Sequence, residues 1–308
     1  MSTLEAGPTP GSTPDAARGG GAAPLERVVD TARYPLSSPE SDTMRSVIDR
    51  AGRELRTQGC TVLRDFVRPE LREHLRRECA ALAPQAHYDV ETVNAYNIAV
   101  DSRLAEDHPG RIAFDRGNAF VARDRIPGEA LISRLYTNEW FREFVARCFE
   151  LPRLHELADP LSGLVLNVVR PGMEHPWHFD TNEFTVSMLT QEPESGGVFE
   201  YCPNIRTVEQ ENLDDVRDVL TGRGESLVRR LTLRPGDLQL FKGRYSLHRV
   251  SPVEGAADRH SAIFAYSERP GVIGSPARTR QLFGRVLPEH LAAEEGRARS
   301  VRVDQLLD

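Results

Sequence analysis

Long apolar runs are missing from this 308-residue sequence: no stretch approaches the roughly 20 consecutive apolar residues that a membrane-spanning helix needs. The N-terminus also lacks a basic segment followed by an apolar one, so no export signal is legible and a cytoplasmic protein is expected. Cysteine is scarce. The four cysteines, Cys60, Cys79, Cys148 and Cys202, show no C-x-x-C spacing, which argues against a structural zinc site or a disulfide framework. Positive charge is short as well, and a net charge of −7 without a long basic run leaves no electrostatic footprint for nucleic acid. At 39% hydrophobic residues the chain is long enough to bury a substantial core, and small molecules are its expected partners.

Residues 1–24 are dominated by Gly, Pro, Ala, Ser and Thr and read as a disordered tail, because they cannot bury enough apolar surface to offset the entropy of ordering. A single domain is expected from residue 25 to residue 308, with a helical N-terminal part at 40–155, a β core at about 160–268 and a C-terminal extension at 269–308. Helical spacing of Met44, Val47, Ile48, Ala51 and Leu55 predicts a helix that Gly59 ends, followed by a strand within 60–67. Pro69 opens a second helix with Leu71, Leu75, Cys79 and Leu82 on one face. The stretch 84–118 has weak periodicity and reads mostly as loops, whereas 137–150 reads as a packed helix capped by Thr137 or Asn138. Beyond residue 160 short β runs alternate with Pro-Gly and Gly-Gly turns, and a short helix is inserted at 208–222. The pattern predicts a mainly β fold with flanking helices and a sandwich or jelly-roll core.

A His-x-Asp triplet, His178 to Asp180, sits between two of these runs. Composition alone does not make it special, since His87-Tyr88-Asp89 is a second one. The surroundings separate them. On extended backbone residues i and i+2 point the same way, so His178 and Asp180 can reach one ion, and His248, just after the run "PGDLQLF", offers a third ligand. Two imidazoles and one carboxylate on one face of an ion, with other positions open, suit non-haem Fe(II) better than a closed zinc site. Eleven residues after His248, Arg259 and Ser261 again share a face, and a guanidinium beside a hydroxyl can grip a carboxylate. The decoy at His87 has no such partner set.

In this order, His178-x-Asp180, His248 and Arg259-x-Ser261, the sequence resembles the Fe(II)- and 2-oxoglutarate-dependent dioxygenases, which are built on a double-stranded β-helix of the jelly-roll, cupin-like kind. The stretches "WHFDTNEFTVSMLTQEPESGGVFEY" and "PGDLQLFKGRYSLHRVSPV" are most similar to a branch acting on free or modestly modified amino acids, including lysine-halogenating and aziridine-forming enzymes. This closer resemblance covers about residues 160–268. It implies Fe(II) held by His178, Asp180 and His248, 2-oxoglutarate chelating that iron and pairing its far carboxylate with Arg259 and Ser261, and O2 as co-substrate. The halogenases of the branch replace the metal-binding carboxylate with a small residue. Here Asp180 is kept, so hydroxylation, desaturation or oxidative ring closure is implied instead of halogenation.

Further candidates carry competing readings. Asn167 is either a donor to the keto acid or a satisfied strand asparagine, and His175 either faces the substrate or bonds to backbone. Trp177 lines the pocket or belongs to the core, with core favoured. Arg123, Asp124 and Arg206 are candidates for the charged groups of an amino acid, against a favoured reading as surface salt bridges. Two rival functions remain at this stage: a phytanoyl-type dioxygenase for lipidic or coenzyme A-linked substrates, and a jelly-roll binding protein without catalysis.

Overall fold

A computed structural model describes residues 25–98, 103–296 and 306, so the N-terminal tail expected at 1–24 lies outside the described residues. Ser41 accepts the Met44 N–H and starts α1 (Asp42–Gln58), and Gly59, in the left-handed conformation with φ 66°, ends it. Strand β1 (Cys60–Leu63) follows, then a turn of 3-10 helix at Pro69–Leu71 and α2 (Arg72–Leu82), whose Leu75, Cys79 and Leu82 are buried. Strands β2 (His87–Asn94) and β3 (Ala113–Val121) pair antiparallel over their length, from His87 opposite Phe120 to Asn94 opposite Ala113.

This hairpin corrects the expectation of loops across 84–118. Its outer strand β2 ends the sheet, and before the buried Asn94 its residues are only exposed or half-buried, so it carries little apolar signal. The buried Asn94 amide ties residues on either side of the connection, donating to the carbonyls of Ile98 and Gly110 and accepting from the N–H groups of Tyr96 and Ile98.

Helices α3 (Leu131–Tyr136) and α4 (Glu139–Cys148) come next, the latter capped by Asn138. The β core then runs through β4 (His155–Glu156), β5 (Leu164–Val169), β6 (His175–His178), β7 (Thr185–Gln191), β8 (Ser195–Gly196) and β9 (Phe199–Cys202). After α5 (Leu213–Leu220) it continues through β10 (Arg229–Leu231), β11 (Leu238–Phe241), β12 (Leu247–Val250), β13 (Val253–Glu254), β14 (Arg259–Phe264) and β15 (Tyr266–Ser267). Helices α6 (Pro276–Phe283) and α7 (Pro288–Glu295) close the described chain.

The strands form an antiparallel seven-stranded sheet in the order β1-β11-β7-β14-β5-β3-β2 and a four-stranded sheet in the order β10-β9-β12-β6. Period-2 alternation divides each strand between two environments. On β5 and β14, Leu164, Leu166, Ala262 and Phe264 turn to the N-terminal helices and join Leu75, Phe141 and Phe144 in the main core. Each such Leu or Phe contributes about 1.5–3 kcal/mol by burial. On the opposite face Asn167, Val169, Arg259 and Ser261 look inward to the four-stranded sheet, while Val165 packs against Leu161 and Phe283 of α6. Contact between the sheets is direct, for the Phe241 ring of β11 meets Phe199 and His248 edge-on at centroid distances of 5.2 and 4.7 Å. Helix α5 covers the outside of the four-stranded sheet through Val216 and Val219 against Trp177 and Leu247. The result is a double-stranded β-helix with flanking helices. Among the described residues no helix is long and apolar enough to cross a membrane.

Candidate metal centre

Strand β12 pairs with β6 so that His248 lies opposite His178, their ring centroids 4.1 Å apart. Asp180 follows two residues after β6, and its N–H donates to the Gly243 carbonyl at 3.1 Å, which brings its carboxylate against both imidazoles. Each Nε2 is 3.5 Å from Asp180 Oδ1. Donor atoms of the three residues all lie within 4.8 Å of one another, and this is the one group with metal-ligand spacing among the described residues. The decoy His87-Tyr88-Asp89 lies on β2 and joins no such group.

Local hydrogen bonds prepare these donors. His178 Nδ1 is 2.9 Å from the Pro176 carbonyl and His248 Nδ1 is 2.9 Å from the Ser246 carbonyl, so each Nδ1 carries the proton it donates and leaves the Nε2 lone pair for an ion. Asp180 Oδ2 accepts from Thr185 Oγ1 at 2.5 Å, which leaves Oδ1 on the imidazole side. Gly243 makes room for the carboxylate: a Cβ there would lie 2.6 Å from Asp180 Cγ. Burial, reinforced by the neighbouring His248, pushes the His178 imidazole down to about 4. Burial pushes the Asp180 carboxyl up, but the two imidazoles outweigh it and hold it well below the usual carboxylate range. The set is two imidazoles and one carboxylate, the ligand set suited to Fe(II) with open positions.

The two residues expected to bind a cosubstrate carboxylate, Arg259 and Ser261, meet on β14. Arg259 is 5% exposed; its Nε donates to the Gly197 carbonyl at 2.9 Å and its Nη1 to Ser261 Oγ at 2.7 Å. Gly197 itself has φ 58°, and a Cβ on it would press on Arg259 Cδ at 3.1 Å and on Pro193 at 2.8 Å. Among the described residues no carboxylate forms an ion pair with Arg259, and burial pushes its guanidinium down to about 10, still a cation at neutral pH. A buried cation without a protein counter-ion fits the distal carboxylate of a bound dicarboxylate. Asn167 sits beside this pair, opposite Ser261 in the register, with a long 3.4 Å bond to the Ala119 carbonyl.

The remaining candidates fall in different places. His175, on β6, stacks on His178 with centroids 4.2 Å apart, and burial followed by the neighbouring His178 pushes its imidazole well below the ordinary value. Trp177 turns to the opposite face of β6, buried against α5 beneath the Arg249 guanidinium. Arg206 is fully buried, with its guanidinium 3.8 Å from the centre of the Phe179 ring, its Nε donating to the Arg244 carbonyl at 2.6 Å, and Glu211 3.2 Å away. It supports the metal loop from behind. Arg123 bonds the Ile126 carbonyl and Ser133 Oγ, and Asp124 pairs with Arg285 at 2.6 Å, contacts that do not include the triad. Sequence reasoning missed Ser187 and Gln239, bonded to each other at 3.1 Å on the inward faces of β7 and β11. Polar residues at core-facing strand positions were the available signal.

A protein-family model described as Halogenase D matches residues 43–272. The chain belongs to this family. No curated protein matches it. Solved structures similar to the chain include a 2OG-Fe(II) oxygenase-family oxidoreductase from Burkholderia pseudomallei, 16% identical over 73% of this chain and 92% of that one with a TM-score of 0.46. A prolyl hydroxylase from Trichoplax adhaerens is 16% identical over 75% and 96% with a TM-score of 0.48, and the carbocyclase SnoK from nogalamycin biosynthesis is 16% identical over 77% and 92% with a TM-score of 0.48. Likeness of this degree concerns the fold alone. Together with the triad, membership in the Halogenase D family makes the chain an enzyme of the Fe(II)/2-oxoglutarate oxygenase type.

Proposed function

We propose that this protein oxidises an unactivated C–H bond of a free or modified amino acid, with hydroxylation as the outcome and succinate and CO2 as co-products. The carrying observation is Asp180. The family's name is that of a halogenase, but a halogenase of this kind needs the carboxylate's place for halide, and here Asp180 fills it, tied to Gly243 and Thr185. Desaturation and ring closure begin with the same hydrogen abstraction and are distinguished by product analysis.

When bound, Fe(II) with 2-oxoglutarate and O2 supplies the oxidant that takes hydrogen from such a bond. The protein's part is positioning. His178, Asp180 and His248 would hold the metal, Arg259 and Ser261 the distal carboxylate of 2-oxoglutarate, and Asn167 stands on the same inner face to donate toward the keto acid. His175, stacked on His178, is a wall of the substrate side. The buried imidazoles and the inner faces of the two sheets exclude water from the reacting region. A charged neighbourhood of Glu91, Arg116 and Arg278 near the triad suits a small zwitterion better than a lipid chain. All four cysteines are free and buried, which suits a reducing cytosol.

The test is anaerobic titration of apo-protein with Fe(II) and 2-oxoglutarate, read by the weak visible charge-transfer band of a keto acid chelated to ferrous iron. The band is expected in the wild-type protein and not in His178→Ala or Arg259→Ala, after which amino acids are screened for succinate release. A folded, metal-loaded protein without the band would overturn the assignment.

A further inference from the structure

Beside the triad the fold assembles a second charged group from three distant parts of the chain. The β2–β3 turn is bonded to the metal loop on both sides of Phe179: the Phe179 N–H donates to the Ala95 carbonyl at 2.8 Å and Asn97 Nδ2 donates to the Phe179 carbonyl at 3.1 Å. Arg116 of β3, 5% exposed, donates from Nη1 to Asn97 Oδ1 at 3.2 Å and from Nη2 to Glu91 Oε2 at 2.8 Å. The same Glu91 oxygen accepts from Gln281 Nε2 of α6 at 2.7 Å, and Arg278, one turn earlier on α6, donates to Gln281 Oε1. An unbroken chain of hydrogen bonds thus joins the metal loop to α6.

The charges in this group do not balance. Two guanidiniums face one carboxylate, Glu91, and no carboxylate forms an ion pair with Arg278 among the described residues. Arg278 stands at the surface rim, yet the surrounding protein and then the nearby Arg116 push its guanidinium down to about 10, while Glu91 and Asp180 pull it the other way. Asn97, which accepts from Arg116, also donates to the carbonyl of Phe179 between His178 and Asp180, so the group adjoins the metal loop. Two forks of donors share the one carboxylate, Glu91, that is hydrogen-bonded within the group, and with Asp180 committed to a metal they would have donors left for a further carboxylate.

We propose that Arg278, carried in by α6, and Arg116, carried in by β3, form a paired-guanidinium subsite for the carboxylate of the substrate, with Glu91 and Gln281 as the residues that position them. The proposal rests on the oxygenase reading above and assigns α6 a place in substrate specificity. It also explains why Gln281 holds Glu91: a carboxylate left free to swing between the two guanidiniums would neutralise the subsite.

The experiment uses the anaerobic Fe(II) and 2-oxoglutarate complex of the full chain, titrated with each of the common L-amino acids and, for those that bind, their carboxamides, with the shift of the charge-transfer band as readout. Wild-type protein is expected to bind at least one amino acid and to bind its carboxamide at least about tenfold more weakly, the loss of a charge-assisted hydrogen bond. Arg278→Gln should lose a similar factor for the acid while its band with 2-oxoglutarate alone stays unchanged, because Arg259 holds that cosubstrate. Arg116→Gln is a second variant, and since Arg116 is buried its circular dichroism must match wild type before its binding is read. Equal binding of acid and carboxamide, unchanged affinity in Arg278→Gln, or no band shift with any amino acid would overturn the subsite and leave the oxygenase reading standing. Absence of the band in the wild type would overturn both.

Discussion

Replacing Arg259 by methionine should separate stability from cosubstrate binding, and in opposite directions. Burial brings the guanidinium from its ordinary value down to about 10, a penalty of roughly 3 kcal/mol on the ionised form at neutral pH. The sign is that of a cation with a depressed folded-state pKa: the penalty is fully present below about 10 and disappears as pH rises from there through the ordinary arginine range. Methionine removes it and gives up the bonds to the Gly197 carbonyl and Ser261 Oγ, about 1 kcal/mol each. The apo variant should therefore be as stable as wild type or about 1 kcal/mol more stable. With 2-oxoglutarate the order reverses. Loss of two hydrogen bonds between charged groups, about 1.5–3 kcal/mol each, predicts cosubstrate affinity lower by roughly 10²–10⁴. Calorimetric melting of Mn(II)-loaded protein, with and without millimolar 2-oxoglutarate, reads both effects, because ligand raises Tm only where it binds the folded state. A variant that gains as much in Tm from 2-oxoglutarate as wild type would refute the placement of the cosubstrate carboxylate. An apo variant several kcal/mol less stable would refute the claim that the cation is uncompensated.

Two other outcomes are expected. Gly243→Ala places a methyl group against the Asp180 carboxylate, so Fe(II) affinity should fall by more than about tenfold while far-UV circular dichroism stays native, and unchanged metal affinity would show that the loop yields without cost. Asp159, with no side-chain exposure, accepts N–H bonds from Leu161, Ser162 and Gly274 and lies 3.3 Å from His290, which ties α7 to the body. Burial pushes this carboxyl up, yet those three donors outweigh it and hold it below 3.8, so its contribution is present above that value and is lost as pH falls through the lower folded-state value. Asp159→Asn should cost about 2–3 kcal/mol at pH 7, with the gap in denaturant midpoint closing in strong acid, and a gap independent of pH would refute the ionic reading.

The core of the site was legible because its signals are local. His178 and Asp180 share a face through a two-residue spacing, Arg259 and Ser261 do the same, and His248 follows a strand whose turn is marked by Pro235-Gly236. Each statement needs only backbone alternation. The substrate side was illegible for the converse reason. Arg116 lies in a hairpin whose outer strand has no buried face to impose a period, and its partner Gln281 is 165 positions further along the chain, joined to it only through Glu91. Trp177 was read as core in preference to pocket and Arg206 as a surface salt bridge in preference to a substrate contact, and the pleat of β6 and the Phe179 ring place both, buried, behind the metal loop. The strands β6 and β12 are only four residues long, too short to stand out from the turns that flank them.

Membership in a family described by halogenation raises the question of whether Asp180 is a working ligand or a residue of no consequence in a site that has changed chemistry. The surroundings decide in favour of a working ligand. A site adapted to halide has no use for a hydroxyl at Thr185 aimed at a carboxylate, nor for a glycine at 243 whose missing Cβ clears the space that the carboxylate fills. The backbone bond from Asp180 to Gly243 fixes the same side chain from a third direction. Three independent features, a hydroxyl donor, a cleared volume and a main-chain tether, are all matched to one carboxylate, which is costly to leave uncompensated at this depth. That cost falls away when a divalent cation sits among Asp180, His178 and His248, and the site is therefore built for a metal with a carboxylate ligand.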